Sequence, residues 1–163
     1  MGRKHICCLA VVLCLFFGTS AWVRAQDDIT AHRSCSNCGM DRGRFDFSRM
    51  VIQFNDGTIR AVCSLRCASD ELDRNSGKAV KSIEVADFNG KQLIDAEKAF
   101  WVVGGKRPGV MARTGKWAFE KKEDGEAFMK TNGGDFATFR ETLAAAKEEK
   151  GKKMGMMGTQ RKE

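Results

Sequence analysis

Two cysteine pairs constrain this chain more than any other feature. They are Cys35-Ser36-Asn37-Cys38-Gly39-Met40 and, further on, Cys63-Ser64-Leu65-Arg66-Cys67. The other three of its 7 cysteines, Cys7, Cys8 and Cys14, lie in an apolar N-terminal segment. Paired thiols at metal-ligand spacing, with a thioether two residues after the second, form a soft donor set. Soft sulfur ligands select Cu(I), Zn(II) or iron–sulfur clusters over hard cations. Any fold built on this chain has to dispose of these four thiols.

Residues 1–25 read as a secretory signal. Arg3 and Lys4 precede an uncharged run from Ile6 to Gly18, and Val23-Arg24-Ala25 ends it in small-residue cleavage style. The run is short for a membrane span. Cleavage after Ala25 predicts a periplasmic chain, with membrane association only if the segment is retained. It also removes three cationic residues from a formal net charge of +7. The basic balance that remains suits an acidic partner, and no aromatic-interleaved basic motif of the nucleic-acid kind occurs. Export places the four remaining cysteines in an oxidising compartment, so two disulfides, in any of three pairings, compete with metal binding.

Behind the first pair, Asp41–Ser48 reads as a Gly- and Arg-rich loop. Met50–Phe54 and Ile59–Val62, joined by Asn55-Asp56-Gly57-Thr58, form a strong hairpin signal. Ser64 is placed to cap a helix over about Leu65–Asn75. Ser82–Phe88 alternates as a strand, and Ala99–Val103 reads as a buried one closed by Gly104-Gly105. A second hairpin is expected from Val110–Ala112 and Trp117–Phe119. Asp124–Thr131 has helical spacing with Gly133 as its cap. Phe136–Phe139 fits a strand or the start of a last helix over Arg140–Lys150. The fold class predicted is α+β, in two small hairpin-plus-helix units over about 33–85 and 86–150. The Lys-, Gly- and Met-rich segment 151–163, with Met154, Met156 and Met157, reads as a disordered tail.

Three chemistries fit the cysteines. The first is a structural zinc knuckle of Cys35, Cys38, Cys63 and Cys67 around a hairpin. Thiol–disulfide exchange is the second, but Gly39 and Gly43 after the first pair argue against the helix N-terminus it needs. In the third, Cu(I) carriage, Cys38 and Met40 project to one side of an extended segment and grip one ion. A third donor then comes from Met111, Met50, Met129, Cys63, Cys67 or His32, with Met111 favoured by its turn-rich surroundings. No Ser/His/Asp set is present, so no catalytic activity is expected. The carboxylate pairs Asp70/Glu71 and Glu148/Glu149 read as solvated helix faces.

Cys-x-x-Cys-Gly-Met, Val62-Cys63-Ser64, Leu93-Ile94-Asp95-Ala96, Ala99-Phe100-Trp101-Val102-Val103-Gly104 and Gly133-Gly134 occur in an order that resembles the NosL family, accessory copper-binding proteins for nitrous oxide reductase. The resemblance spans about residues 33–146. It implies two related α+β units like those of organomercurial lyases. It also implies an exported Cu(I) chaperone, a client copper enzyme, and copper held by Cys38, Met40 and Met111; a monomer is expected. The chain departs from the family in lacking a lipid-modification cysteine and in carrying Cys67. A small exported metal-sensing or interaction module, with a Zn(II) site or disulfides, is the alternative.

Overall fold

The computed structural model of the protein describes residues 27–160, with side chains described through Lys150. The expected signal segment with its cleavage point, the side chains of Met154, Met156 and Met157, and residues 161–163 lie outside the described residues.

A short helix, α1 (Asp27–Ala31), leads into the first cysteine pair, which is followed by a 3-10 turn at Arg42–Phe45. The β-branched runs around Asp56-Gly57 then form the expected hairpin, β1 (Met50–Phe54) and β2 (Ile59–Val62), with Met50 opposite Val62. Gly57 takes φ +84°, the left-handed geometry the turn requires. Helix α2 (Leu65–Arg74) follows, and β3 (Val80–Ala86) returns antiparallel to the free side of β1. A short strand that the sequence did not suggest, β4 (Leu93–Asp95), closes the sheet in the order β2-β1-β3-β4.

The second half repeats this wiring. Strand β5 (Phe100–Val103) pairs with β6 (Lys116–Phe119), helix α3 (Lys122–Asn132) follows, and β7 (Asp135–Ala137) returns to the other side of β5. The order β6-β5-β7 matches β2-β1-β3, so both halves are hairpin–helix–strand units with the first strand central. The chain is α+β, as expected. The expected hairpin between Val110–Ala112 and Trp117–Phe119 is not formed. Residues 104–115 are an irregular loop, and the hairpin mate of β6 is the apolar β5, which buries Trp101 and Val102.

Helix α4 (Phe139–Gln160) lies against both α2 and β5 and so ties the units together, and its last turns fall in the segment 151–163. Alternation along β1 sends Met50, Ile52 and Phe54 inward, against Val62, Leu65, Ala68, Trp101 and Phe139. A separate aromatic cluster of Trp117, Phe119 and Phe128, flanked by Phe47 and Phe88, fills the second unit. All four cysteines belong to the first core, which anchors the site.

Candidate metal centre

The first pair sits in a tight knuckle. Cys35 N–H donates to the Met40 carbonyl at 2.8 Å, and Gly39 N–H donates back to the Cys35 carbonyl at 2.9 Å. Gly39 at φ +76° makes this reversal possible, and with no atom within 4 Å of its missing Cβ, the backbone angle alone demands glycine. The second pair straddles the start of α2. Cys63 ends the run out of β2, and Cys67 lies one turn into the helix. Ser64 occupies the cap position, but its hydroxyl makes no capping bond; it lies 3.9 Å from the Cys63 sulfur instead. The Ser36 N–H bond to the Ala61 carbonyl, 2.8 Å, fastens the knuckle to β2.

The result is one cluster. The four Sγ atoms lie within 4.8 Å of one another, with Cys38–Cys63 at 3.6 Å and Cys63–Cys67 at 3.7 Å. A tetrahedral ion with metal–sulfur bonds of about 2.3 Å sets its sulfurs about 3.8 Å apart. The thiols therefore already stand at ligand spacing. All four are free, so the two-disulfide arrangement is not the one adopted. Cys35, Cys63 and Cys67 are buried, whereas Cys38 is half-exposed, as is Met40 beside it. The cluster thus has a closed floor and one open edge.

Its electrostatics favour a cation. The thiols of Cys63 and Cys67 donate to Cys35, and with the backbone N–H groups of Cys38 and Asn37 they hold the Cys35 thiol far below its ordinary value. The same donation pushes Cys63 up strongly and Cys67 up to about 12, with burial adding to both. Burial and the neighbouring thiols thus oppose further deprotonation of Cys63 and Cys67. A soft cation would let the remaining protons leave, because the metal ligand is the thiolate.

Beneath the cluster lies a network that the sequence did not announce. Arg42 and Arg49 are fully buried and converge on Asp28 of α1, at 2.6 and 2.8 Å. Arg42 also donates to the carbonyls of His32 at 2.7 Å and Val62 at 3.3 Å, joining the segments that carry the two cysteine pairs. The stretch 41–48, expected as a loop, is consequently an anchored turn. Asp41 caps its start by accepting the Gly43 N–H at 2.7 Å.

Among the other expected donors, Met50 is buried in the first core and Met129 packs in the second cluster. His32 is not among the grouped metal ligands. Met111 is 52% exposed, at φ +59°, an uncommon backbone for a methionine. Its loop borders a small cleft with Ser64, Leu65 and Arg66, beside the second cysteine pair. Glu149 of α4 holds that loop by accepting the N–H groups of Arg113 at 2.5 Å and Thr114 at 3.2 Å, and it pairs with Lys116 at 2.9 Å. Arg107 holds the other side by stacking over Phe88, Phe47 and Trp117 at 5.0–5.4 Å. Asp70, Glu71 and Glu149 do not form the solvated helix faces expected of them, because each is drawn into ion pairs. Glu71 is buried against Arg60 and Arg74, and Asp70 is bound by Arg66 and Lys150. Paired cations offset the cost of withdrawing these carboxylates from water.

The family model of NosL matches residues 26–146, which takes in both units and the whole cysteine cluster. The chain belongs to the NosL family. Among solved structures, the crystal structure of the copper chaperone NosL from Shewanella denitrificans aligns with a TM-score of 0.56 at 28% sequence identity. The alignment covers 68% of this chain and 89% of that one. A comparison with curated proteins finds no match. Within this NosL family member, the motif that carries the resemblance, Cys38-Gly39-Met40, forms the open edge of the thiol cluster, while Cys35, Cys63 and Cys67 form its floor.

Proposed function

We propose that this protein is an exported Cu(I) metallochaperone that carries copper to a periplasmic copper enzyme, nitrous oxide reductase by family resemblance. The supporting observation is a cluster of four free cysteine sulfurs, three buried and one, Cys38, half-exposed beside Met40. Copper enters at Cys38 and Met40 and settles against the inner thiols, and it leaves by the same edge. A thioether at the mouth suits Cu(I), which accepts low coordination and soft neutral donors. Met111 serves as the additional thioether. The signal segment is removed after Ala25, and N-terminal sequencing of the exported chain should begin at Gln26.

A second reading, a resident Zn(II) at all four cysteines, is favoured by the sulfur spacing, which also fits zinc. Two measurements separate them. In competition with a Cu(I)-specific chelator, the chaperone binds one Cu(I) and prefers it to Zn(II). The metal-free reduced protein keeps its circular dichroism, because apolar residues of both units fill the cores without help from an ion. Unfolding on chelation, the behaviour of structural zinc domains, would instead establish the zinc reading. In cells, deleting the gene leaves the reductase present but copper-poor, and added copper partly restores it. A fully metallated, active reductase in the deletion strain under copper limitation would refute delivery.

A further inference from the structure

The loop that carries Met111 is cationic. Residues 104–115 include Lys106, Arg107 and Arg113 and no Asp or Glu. All three cations are exposed, as is Met111. A fourth cation, Lys91, joins them from the turn before β4. Its Nζ lies 5.4 Å from the ring centre of Phe47 and 5.0 Å from that of Phe88, the same two rings that Arg107 covers at 5.3 and 5.0 Å. Among the described residues, none of these four cations forms an ion pair with a carboxylate. The carboxylate that does touch the loop, Glu149, accepts the backbone N–H groups of Arg113 and Thr114 and pairs with Lys116, so its charge is already engaged.

The backbone fixes this array. Lys91 and Met111 are the two non-glycine residues at positive φ among the described residues, at +63° and +59°. Such a conformation is costly and persists where the surroundings impose it. Arg49 imposes it at Lys91 by donating to its carbonyl at 2.7 Å, and Glu149 anchors the loop of Met111. The loop also borders the cleft it shares with Ser64, Leu65 and Arg66, so the cations stand beside the second cysteine pair.

We propose that the cationic loop of Met111, with Lys91 beside it, is a docking surface for an acidic face of the protein that receives copper from this chain. The inference deepens the chaperone reading and rests on it for the identity of the partner. Unpaired charge of one sign beside a site raises the rate of encounter with an oppositely charged partner by about 10- to 1,000-fold, and salt removes the gain. An acidic protein fits better than an anionic lipid. The exposed thioether has a use when the visitor brings soft donors of its own, and Met111 is the one large apolar residue exposed on the loop, too little to enter a bilayer.

The test compares the mature chain with its Lys106→Glu/Arg113→Glu double variant, since both positions are exposed and neither belongs to the thiol cluster. A synthetic Asp- and Glu-rich peptide with one methionine is the direct probe, followed by the fluorescence of Trp117, whose ring Arg107 covers at 5.4 Å. Apo nitrous oxide reductase is the second probe, with copper transfer timed from about 50 to about 500 mM salt, a range over which the screening length falls severalfold. At low salt the double variant should bind the peptide and transfer copper about 10-fold less well or worse, and high salt should close the gap. Its Cu(I) affinity in chelator competition should not change, and Lys106→Arg/Arg113→Lys should behave as the unaltered chain. If the charge-reversed protein fails to fold, Lys106→Gln/Arg113→Gln decides by the same criteria. Peptide binding that is equal in both proteins, or indifferent to salt, would overturn the inference. So would tighter, variant-sensitive binding to phosphatidylglycerol vesicles than to the peptide, which would make the occupant a membrane. Charge-dependent peptide binding without transfer to the reductase by the unaltered chain would sink delivery to that enzyme and leave the docking surface standing.

Discussion

Replacing Cys38 by serine should weaken Cu(I) binding by more than about 100-fold, since losing an outer partner alone costs about 10- to 100-fold and Cys38 is a candidate direct ligand. Cys38 is the one thiol that reaches both worlds. Its sulfur is 3.6 Å from that of buried Cys63, and its side chain is half-exposed beside Met40. Serine retains the size and the polarity but supplies a hard oxygen in place of a soft sulfur. The half-buried position keeps the folding cost small, so circular dichroism should not change. The neighbouring substitutions then map the ligand set. If copper settles among the thiols, Cys35→Ser, Cys63→Ser and Cys67→Ser should each weaken binding as well. Should these three retain full affinity while Met40→Leu and Met111→Leu lose it, the ion is held at the mouth by Cys38 and the two thioethers alone. A Cys38→Ser protein that competes with the chelator as well as the unaltered one would remove the Cys-Gly-Met motif from the site altogether.

The cysteines were legible because their chemistry is local to the residue type. Spacing alone marked them as ligands, and the Asp56-Gly57 turn between β-branched runs placed a hairpin between the pairs. Burying the apolar side of that hairpin under α2 is what closes one pair onto the other. Legibility failed where long-range pairing decides. Val110–Ala112 alternates too briefly to compete with Phe100–Val103, whose Trp101 and Val102 are buried only once β6 lies beside them. Arg42 and Arg49 carried no signal, because a cation in a Gly- and Arg-rich stretch ordinarily faces water. Their burial depends on Asp28, which precedes them in the chain and comes into range only when α1 folds back over β1. Asp70 and Glu149 misled for the same reason, since their partners, Lys150 and the loop around Thr114, are distant in sequence. The matching strand orders β2-β1-β3 and β6-β5-β7 show that the two hairpin-plus-helix units share one strand topology. What differs between the halves is the filling. The first unit holds thiols where the second holds stacked aromatic rings.

Asp28→Asn should be the most destabilising surface-accessible change outside the thiol cluster. The carboxylate is 15% exposed and receives Arg42 through Oδ2 and Arg49 through both oxygens, at 2.6–2.9 Å. Both guanidinium groups are at 0% exposure. The amide leaves two like charges in the interior with no counter-charge from α1, and breaking a buried pair in this way costs about 3–5 kcal/mol. Arg42 and Arg49 keep their carbonyl acceptors on His32, Val62, Asp46 and Lys91, which argues for the lower end, about 3 kcal/mol. For a domain of this size that lowers Tm by roughly 10 °C. The same geometry predicts a pH dependence. Burial alone would raise the Asp28 pKa, but the hydrogen bonds and charges of Arg49 and Arg42 outweigh it and hold the carboxyl below its ordinary value. A depressed carboxylate stabilises the fold above its unfolded value of about 3.9, and that contribution fades as pH falls through the lower folded value. Urea midpoints measured from pH 7 down to pH 3 should therefore fall for the unaltered protein below about pH 4, and the Asp28→Asn protein should start lower and fall less steeply. Equal slopes for the two proteins would show that the buried arginines draw their compensation from elsewhere. Because Arg42 also bonds the Val62 carbonyl next to Cys63, the loss should carry over to the metal centre, with Cu(I) held less tightly in the folded Asp28→Asn protein than in the original.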